Sequence, residues 1–473
     1  MKQNQLWKSE LNGVNVIQDD EKTATPRDLF WIWFGANIGI LGILYGGIIV
    51  GFKLSFLQSI LAAAMGALSF ALVGLLSLSG RDESVPMFVL SRRVFGHRGN
   101  WGPGVVNWIN LLGWESVTVV TGTLTLQALI SDVFRVPTTL FTGIVSLVVF
   151  IGLVISFSLF GYMTLLFIQK VASWGFGTLT LFVIFLLLRH ATWTGAVFTS
   201  SGQWVTGFLP AVSIIVAGTG ISWAPAAADY SRYVSRSAKS GRLGWAVTLG
   251  GAIPLFVLML TGILIAHHVL NLVSSPNPIL TIGSALPGWM SPVYLVTVIG
   301  GLLAEADLSL YSSGLNLMGI GIQLPRKKTI WIDAVITIVV TVFVIFIRKN
   351  FFSPFEAFLT LMGVSLAAWS GVFLGRWMNR HRFNRDFFQH HETGQPTNWY
   401  ALGSWGISVV VGLLFTTTSI YTGPLAKGVF SVSNLGIVLA FLVGIFLQSV
   451  RERLFGGPSE YTSFSEPRDE KSG

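Results

Sequence analysis

The chain has 473 residues, of which 52% are hydrophobic and only 11% are charged, and it carries a formal net charge of +9. Soluble globular proteins contain roughly 25% charged residues, so this composition and the mean hydropathy of +0.68 predict a polytopic membrane protein. The composition excludes a soluble enzyme and a nucleic-acid-binding protein, and the absence of cysteine excludes a secreted disulfide scaffold.

A spanning helix needs about 20 mostly apolar residues, and twelve runs of the sequence meet that condition. They lie near residues 28–52, 56–79, 103–131, 137–157, 160–188, 204–224, 243–270, 291–322, 329–347, 354–375, 399–418 and 430–449. We therefore expect an all-α membrane protein with twelve transmembrane helices over residues 28–450, an N-terminal arm over residues 1–27 and a C-terminal tail over residues 451–473. The arm has no apolar run and no small-residue cleavage site, so it is predicted to be a soluble segment rather than a signal peptide.

The positive charges predict the orientation of the chain. If both termini face the cytoplasm, the inner loops and tails hold 23 Lys and Arg residues, and the outer loops hold six. Lys and Arg accumulate in the cytoplasmic loops of membrane proteins. We therefore expect a multi-pass protein of the plasma (inner) membrane whose arm and tail are both cytoplasmic.

Two of the predicted spans contain dense glycine clusters, at residues 35–47 in span one and at residues 218–220 in span six. A single glycine in a span most often serves close helix packing. Two interrupted segments at matching positions of two five-helix halves instead indicate an inverted-repeat transporter, in which broken helices 1 and 6 expose backbone groups at mid-membrane. On this layout the repeats cover about residues 28–188 and 204–375, and two extra helices follow over residues 399–449.

Acidic side chains in the middle of a span are costly, and they are functional by default. Glu115 in span three and Glu305 with Asp307 in span eight are the deepest acidic residues of the predicted spans. Asp333 and Glu356 lie nearer to span ends, where a side chain can extend toward the headgroups. We therefore expect functional roles first for Glu115, Glu305 and Asp307.

Span eight also carries a polar stripe. Glu305, Ser309, Ser312 and Asn316 are spaced by 4, 3 and 4 residues, which places them on one face of a helix. Such a face lines a cavity or hydrogen-bonds a neighbouring helix, and for the serines the sequence leaves both interpretations open.

Two tryptophans stand out from the 17 in the chain, most of which are predicted to form interfacial belts. Trp114 falls within span three, and Trp223 follows the glycine cluster of span six. A flat indole beside small residues and unpaired backbone groups suits a planar, hydrogen-bonding ligand.

Four motifs stand in the predicted spans or in the loops that join them. They are Trp33-Phe34-Gly35-Ala36-Asn37, Ser91-Arg92-Arg93-Val94-Phe95-Gly96, Leu112-Gly113-Trp114 and Ala228-Asp229-Tyr230-Ser231-Arg232-Tyr233. These motifs resemble the first nucleobase:cation symporter family, which comprises the purine–cytosine permeases and their allantoin, hydantoin and thiamine relatives. The resemblance extends over about residues 28–450.

The resemblance implies a fold of twelve helices with a five-plus-five inverted repeat, as in amino-acid and neurotransmitter sodium symporters. It also implies that a planar heterocycle stacks on Trp114. The family's amide four residues later is replaced here by Thr118, and its helix-six stacking position falls on Gly220, so Trp223 could supply the second ring face. Ser222 matches a position that hydrogen-bonds cytosine in some relatives. The predicted substrate site consists of Trp114, Thr118, Glu115, Asn37, Ile40, Gly220, Ser222 and Trp223.

The resemblance also implies a cation site between broken helix one and helix eight. Its two backbone carbonyls would belong to Ala36 and Gly39, and the hydroxyl pair that binds sodium in relatives falls on Ala304 and Glu305. An alanine offers no side-chain oxygen to sodium, whereas a buried carboxyl can take up and release a proton. We therefore predict proton coupling, with sodium as the alternative, no bound metal and no cofactor. The predicted coupling residues are Glu305, Ala36, Gly39, Ala304 and Asp307.

The sequence thus favours a secondary-active, cation-coupled importer of a nucleobase (cytosine or a purine) or a similar planar heterocycle, working by alternating access as a monomer. Its expected partners are this small heterocycle and membrane lipid, with no nucleic acid. The alternatives are a carrier of allantoin or hydantoin, of thiamine or another vitamin, or of an amino-acid-type solute on the same fold. A receptor or channel is a more distant alternative, because a channel needs a continuous polar pore.

An enzyme is not expected. The sequence shows no metal cluster, nucleophile pair or phosphate loop, and the pairs His267-His268 and His390-His391 lie at a span end or in a loop.

Overall fold

The computed structural model describes residues 7, 12–189, 203–266, 269, 272, 275, 277–348, 352–379 and 396–455. Within these residues the chain is helical, with two isolated β-bridges and no strand. The predicted all-α class is therefore confirmed. The two histidine pairs, much of the N-terminal arm and most of the C-terminal tail lie outside the described residues.

The helices are numbered here in chain order, and each label covers a continuous helical stretch. They are α1 (Pro26–Asn37), α2 (Leu41–Gly51), α3 (Phe56–Glu83), α4 (Met87–Phe95), α5 (Trp101–Phe134), α6 (Leu140–Ser158), α7 (Tyr162–Leu188), α8 (Trp204–Ser231), α9 (Ser240–Ile265), α10 (Pro278–Gly283), α11 (Gly288–Gly319), α12 (Arg326–Ile347), α13 (Phe352–Asn379), α14 (Trp399–Leu414) and α15 (Gly436–Phe455).

In the part of the chain that the structure describes, nine helices are long and apolar enough to cross a membrane, and α1 with α2 makes a tenth span. The next two candidates are weaker: α14 has only 16 residues, and α15 carries Arg451, Glu452 and Arg453 within its 20 residues. The multi-pass architecture is thus confirmed, and the number twelve stays a prediction.

The first span is bent by 62° between α1 and α2. Helix α1 begins at a capping box, in which the Thr25 hydroxyl accepts from the Asp28 amide at 3.3 Å and the Asp28 carboxylate accepts from the Thr25 amide at 2.9 Å. It ends at Asn37, and the chain resumes a helix at Leu41. The bend therefore falls at residues 38–40, inside the glycine cluster from which a break was predicted.

The sixth span differs from the expectation of a broken helix. Residues 204–231 form one continuous span, in which the helix changes to π geometry over Ala217–Ile221 and to 3₁₀ geometry over Ala224–Ala226. A π turn is wider than an α turn and is frequent at functional sites. The glycines of span six therefore change the type of helix without a large bend.

Close backbone contacts fix α2 against α9. A Cβ atom on Gly262 would overlap the carbonyl oxygen of Ile43, and one on Gly46 would overlap the carbonyl oxygen of Met259. Small residues allow helices in a membrane to pack at this distance. The bent first span is therefore anchored on the seventh, and α5 and α11 pack along each other.

The described part of the N-terminal arm lies against the ends of the helices. The carbonyl of Gly13 accepts from the Arg232 guanidinium at 2.6 Å, the Ile17 amide donates to Ser84 at 2.9 Å, and the Ala24 amide donates to Tyr233 at 3.1 Å. These bonds join the arm to the segments that follow α3 and α8.

We expect Gly262→Ala to lower the thermal unfolding midpoint of the purified protein in detergent. The added methyl has no space between α2 and α9, and such overpacking costs about 1–3 kcal/mol. Gly152→Ala on α6 is the matched control, because a Cβ there meets no atom within 4 Å and alanine favours a helix over glycine. Equal midpoints for the two variants would contradict the close α2–α9 contact.

Candidate functional site

A narrow cavity lies at the bend of the first span, among α1, α2, α5, α8, α9 and α11. It encloses about 310 Å³ of space between atoms, open solvent included. Its lining residues are Ala36, Asn37, Gly39, Leu41, Gly42, Tyr45, Trp114, Gly218, Thr219, Trp223, Leu255 and Glu305.

Six of the predicted site residues line this cavity. They come from four different helices or their ends, and they combine part of the predicted substrate site with part of the predicted cation site. The six are Ala36, Asn37, Gly39, Trp114, Trp223 and Glu305.

The indole of Trp114 is held by a polar triad behind the cavity wall. Its Nε1 donates to the Ser222 hydroxyl at 2.9 Å, and that hydroxyl donates to the Asn110 side-chain oxygen at 3.0 Å. Phe355 packs edge-on against the ring at 5.5 Å between centroids. Ser222 is therefore placed to orient the indole, and it does not line the cavity where a ligand contact was predicted.

Trp223 is held by other aromatic rings. It packs edge-on against Trp33, with 5.5 Å between centroids and 78° between planes, and Trp33 is itself fully buried against Phe70 and Tyr230. The cavity wall thus includes two indoles, from α5 and α8, and each of them is fixed by neighbours behind it.

The Thr118 side chain does not point to the cavity. Its hydroxyl donates to the carbonyls of Trp114 at 3.0 Å and Glu115 at 2.9 Å in its own helix. A threonine in a helix commonly bonds in this way. Ile40, directly before α2, is also buried and is absent from the cavity wall.

The position of Gly220 also differs from the prediction. Its amide donates to the Ser69 hydroxyl at 3.0 Å, and a side chain at Gly220 would overlap the backbone of Ser69. Gly220 therefore packs on α3, and Gly218 is the glycine that lines the cavity. Both glycines lie in the π turn over Ala217–Ile221.

Glu305 faces the bend of the first span. A Cβ atom on Gly39 would lie 3.5 Å from the Glu305 carboxylate, and Glu305 is buried in α11 with 6% of its surface exposed. The backbone carbonyl of Ala304, the other half of the predicted pair, accepts from the Gln169 side chain at 2.7 Å. Ala304 thus bonds to α7, and it does not line the cavity.

The other two predicted acidic residues lie outside the cavity. Thr337 of α12 donates to Glu115 at 3.4 Å, and Ser158 of α6 donates to Asp307 at 3.0 Å. Since successive residues of a helix are 100° apart, Glu115 and Asp307 project away from the face that carries Trp114 or Glu305. Asp333 is also fully buried and accepts from Trp108 at 2.9 Å, so it does not extend toward the headgroups.

The polar stripe of α11 divides between the two interpretations. Glu305 lines the cavity, whereas Ser312 hydrogen-bonds the Tyr230 hydroxyl at 2.7 Å. Asn316 accepts from Asn107 at 3.1 Å and donates to the Gly104 carbonyl at 2.8 Å. Ser312 and Asn316 therefore join α11 to neighbouring helices, and Glu305 faces the cavity.

Tyr45 is the main cavity residue that the sequence analysis missed. Its hydroxyl donates to the Gly218 carbonyl at 3.2 Å, across the cavity from α2 to the π turn of α8. The signal was present, because Tyr45 is a polar side chain directly before Gly46-Gly47 in a span predicted to be broken. Leu255 of α9 also lines the cavity, and nothing in the sequence distinguished it from other apolar residues.

Comparisons with known proteins agree with this architecture. A family model described as "Permease for cytosine/purines, uracil, thiamine, allantoin" matches residues 16–444. YxlA of Bacillus subtilis (strain 168), which carries the provisional name purine-cytosine permease, is 25% identical over 460 residues, covering 94% of this chain and 95% of YxlA. The purine-cytosine permease FCY2 of Saccharomyces cerevisiae is 26% identical over 271 residues, covering 56% of this chain and 49% of FCY2.

Solved structures share the fold at low sequence identity. MHP1, a nucleobase-cation-symport-1 family transporter, in a closed conformation with bromovinylhydantoin bound, superposes with a TM-score of 0.76 at 18% identity, over 94% of this chain and 95% of MHP1. MhsT in complex with L-phenylalanine superposes with a TM-score of 0.60 at 14% identity, over 90% of this chain and 99% of MhsT.

We expect the hydrogen bond between Trp114 and Ser222 to appear as an energetic coupling in a double-mutant cycle. Ser222→Ala leaves the buried indole N–H without its acceptor, which lowers the free energy of unfolding by about 1–3 kcal/mol. In a Trp114→Phe background the ring has no N–H group, so Ser222→Ala does not incur this cost. The readout is the unfolding midpoint of the four proteins. A Ser222→Ala loss that is the same in both backgrounds would show that the two side chains do not interact.

Proposed function

The chain belongs to the family of permeases for cytosine/purines, uracil, thiamine and allantoin, and we propose that it is a secondary-active importer of a nucleobase, cytosine or a purine, or of a similar planar heterocycle. Family membership, predicted from the four motifs, is confirmed. Its homologues are permeases, so the chain is a multi-pass membrane transporter of small heterocycles and not an enzyme. The particular heterocycle, the coupling ion and the mechanism belong to the proposal.

The observation that carries the proposal is the Trp114 indole, fixed by Ser222 and Asn110 at the wall of a cavity that Trp223 also lines. A heterocycle stacks on an aromatic face with favourable free energy whatever its exact substituents. Asn37, Tyr45 and Glu305 supply polar groups in the same cavity, and such groups select a ligand by its hydrogen-bonding edge.

The bend of the first span supports transport by alternating access. Discontinuous helices place backbone groups at a central binding site, around which one part of the bundle moves against the other. In this chain the bend borders the same cavity as the two indoles. We propose that closure around a heterocycle in this cavity is the step that commits it to transport.

Allantoin, hydantoin, thiamine and amino-acid-type solutes remain the alternative substrates, since the fold alone accommodates them. The experiment is uptake of radiolabelled cytosine and adenine in competition with each alternative, preceded by a thermal-shift screen, because a ligand stabilises the state that it binds. Competition by an amino-acid mixture, with none by heterocycles, would contradict the proposal.

We propose that Glu305 couples the transport to protons. Its carboxylate lies beside Gly39 in the cavity, and its neighbour Ala304 has no side-chain oxygen and turns its carbonyl to Gln169. A carboxyl group in this position can accept a proton from the outer side and lose it to a more alkaline interior. By linkage, a substrate that binds the protonated form more tightly must raise the proton affinity by the same factor.

The charge distribution of the loops supports an orientation with both termini in the cytoplasm of a plasma (inner) membrane. We further propose that one chain suffices for transport.

Stacking of the substrate on Trp114 can be measured directly. We expect Trp114→Ala to weaken substrate binding by about 1–3 kcal/mol, the range for base–aromatic stacking, and Trp114→Phe to keep part of the affinity. Trp331→Ala is the control, because that side chain lies on α12 and is 56% exposed. The measurement is equilibrium binding of the radiolabelled substrate to purified protein. Full affinity in Trp114→Ala would remove this indole from the substrate site.

Proton coupling through Glu305 can be measured as gradient-driven uptake. Uptake into proteoliposomes should respond to an imposed pH gradient and stay the same when sodium is replaced by potassium or choline. Glu305→Gln, which resembles the protonated form, should still exchange substrate but should not concentrate it. Asp307→Asn is the matched control, since this carboxylate bonds Ser158 away from the cavity.

A strict sodium requirement in the parent would contradict proton coupling. Gradient-driven accumulation that survives in Glu305→Gln and is lost in Asp307→Asn would transfer the role to Asp307.

A further inference from the structure

A second, apolar cavity adjoins the substrate cavity. It encloses about 560 Å³ of space between atoms, open solvent included, and the two cavities have Leu41 and Tyr45 in common. Its lining residues are Leu41, Leu44, Tyr45, Ile48, Val120, Thr121, Leu124, Asn277, Pro278, Ile279 and Phe355.

This second cavity lies on the outer side of the substrate cavity in the proposed orientation. Helix α5 begins at the cytoplasmic side, and Val120 and Leu124 follow Trp114 by six and ten residues, or about 9 and 15 Å along a helix axis. The segment at Asn277 and Pro278, which leads into α10, forms another part of the wall. We refer to this space as the outer cavity.

Tyr45 lies between the two cavities. It is 3% exposed, and its hydroxyl donates to the Gly218 carbonyl at 3.2 Å. Gly218 has to be a glycine for this contact, because a Cβ atom there would overlap the Tyr45 hydroxyl. A single neutral hydrogen bond therefore holds the phenol ring between α2 and the π turn of α8.

The backbone of α2 is less free to move than the Tyr45 side chain. Gly42, at the edge of the substrate cavity, approaches Leu258, and Gly46 approaches the backbone of Met259 and Gly262, all on α9. Contacts of this kind hold two helices together as a unit. The smallest movement that joins the two cavities is thus a rotation of the Tyr45 ring.

We propose that Tyr45 is the outer gate of the substrate cavity, and that its hydrogen bond to the Gly218 carbonyl keeps the gate closed. The proposal rests on the proposed function for the direction of access, from the outer cavity inward. In this role Tyr45 controls when a heterocycle reaches Trp114.

Loss of the hydroxyl should open the gate more often without removing the ring. The net contribution of one neutral hydrogen bond corresponds to about a 2- to 13-fold change in the open-to-closed ratio. Tyr45→Phe should therefore increase access to the substrate cavity by that factor. Gly218→Ala should act in the same direction because its methyl displaces the hydroxyl, and the double variant should add little to either single variant.

The chain contains no cysteine, so single cysteines can report access without further changes. Leu255→Cys reports on the substrate cavity, and Val120→Cys reports on the outer cavity. The probe is a membrane-impermeant, positively charged methanethiosulfonate reagent, applied to one side of oriented vesicles, and the measured quantity is the rate of modification. Neither reporter depends on transport, so the result is independent of which heterocycle is carried.

We expect the rate at which the outside reagent modifies Leu255→Cys to rise about 2- to 13-fold when Tyr45→Phe is added. Tyr45→Ala should raise this rate at least as much. The modification rate of Val120→Cys should stay the same in both Tyr45 variants. Unchanged Leu255→Cys rates in all Tyr45 variants, while Val120→Cys reacts normally, would overturn the proposal. An equal rise at both reporters would also overturn it, because it would indicate a general opening of the bundle. Reaction of Val120→Cys only from the cytoplasmic side would refute the outer position of the gate.

Discussion

A polypeptide that leaves regular helical bonding in the middle of a bilayer has to find partners for its backbone inside the protein. The bend of 62° at residues 38–40 imposes this requirement here. Helix α9 shields one side of α2 through backbone contact at Gly46, while α5, α8 and α11 enclose the other side. The cavity lies at the bend for the same reason, since the small residues that permit the bend leave space that no side chain fills.

Helix register then decides which side chains take part in the site. On α5, Trp114 faces the cavity, its neighbour Glu115 bonds Thr337 of α12, and Thr118 bonds carbonyls of its own helix. The sequence could predict the spans, the bend and the central place of Trp114 and Glu305, because these depend on hydropathy, glycine clusters and motifs. It could not predict the direction of each polar neighbour, which depends on the packing of helices remote in sequence.

The sixth span shows the limit of a residue offset taken from a family resemblance. The offset from the Ala228-Asp229-Tyr230 motif placed Gly220 in the site, whereas Gly220 bonds Ser69 and Gly218 lines the cavity, both within the π turn over Ala217–Ile221. A one-turn change of helix type leaves no clear mark in hydropathy. The place of Tyr45 beside Gly46-Gly47 was visible in the sequence, but its partner is a backbone carbonyl, which residue patterns do not identify.

The N-terminal arm has a consequence for the order of assembly. Arg232 is fully buried, and one acceptor of its guanidinium is the carbonyl of Gly13, 219 residues earlier in the chain. The arm is synthesised first, but its partners after α8 exist only when six spans have been inserted. Contacts between such distant segments form late in folding, because the loop between them must close first. The arm can bond Ser84 once α3 has been made, but its bond to Arg232 has to wait for α8, so the complete docking of the arm is a late step.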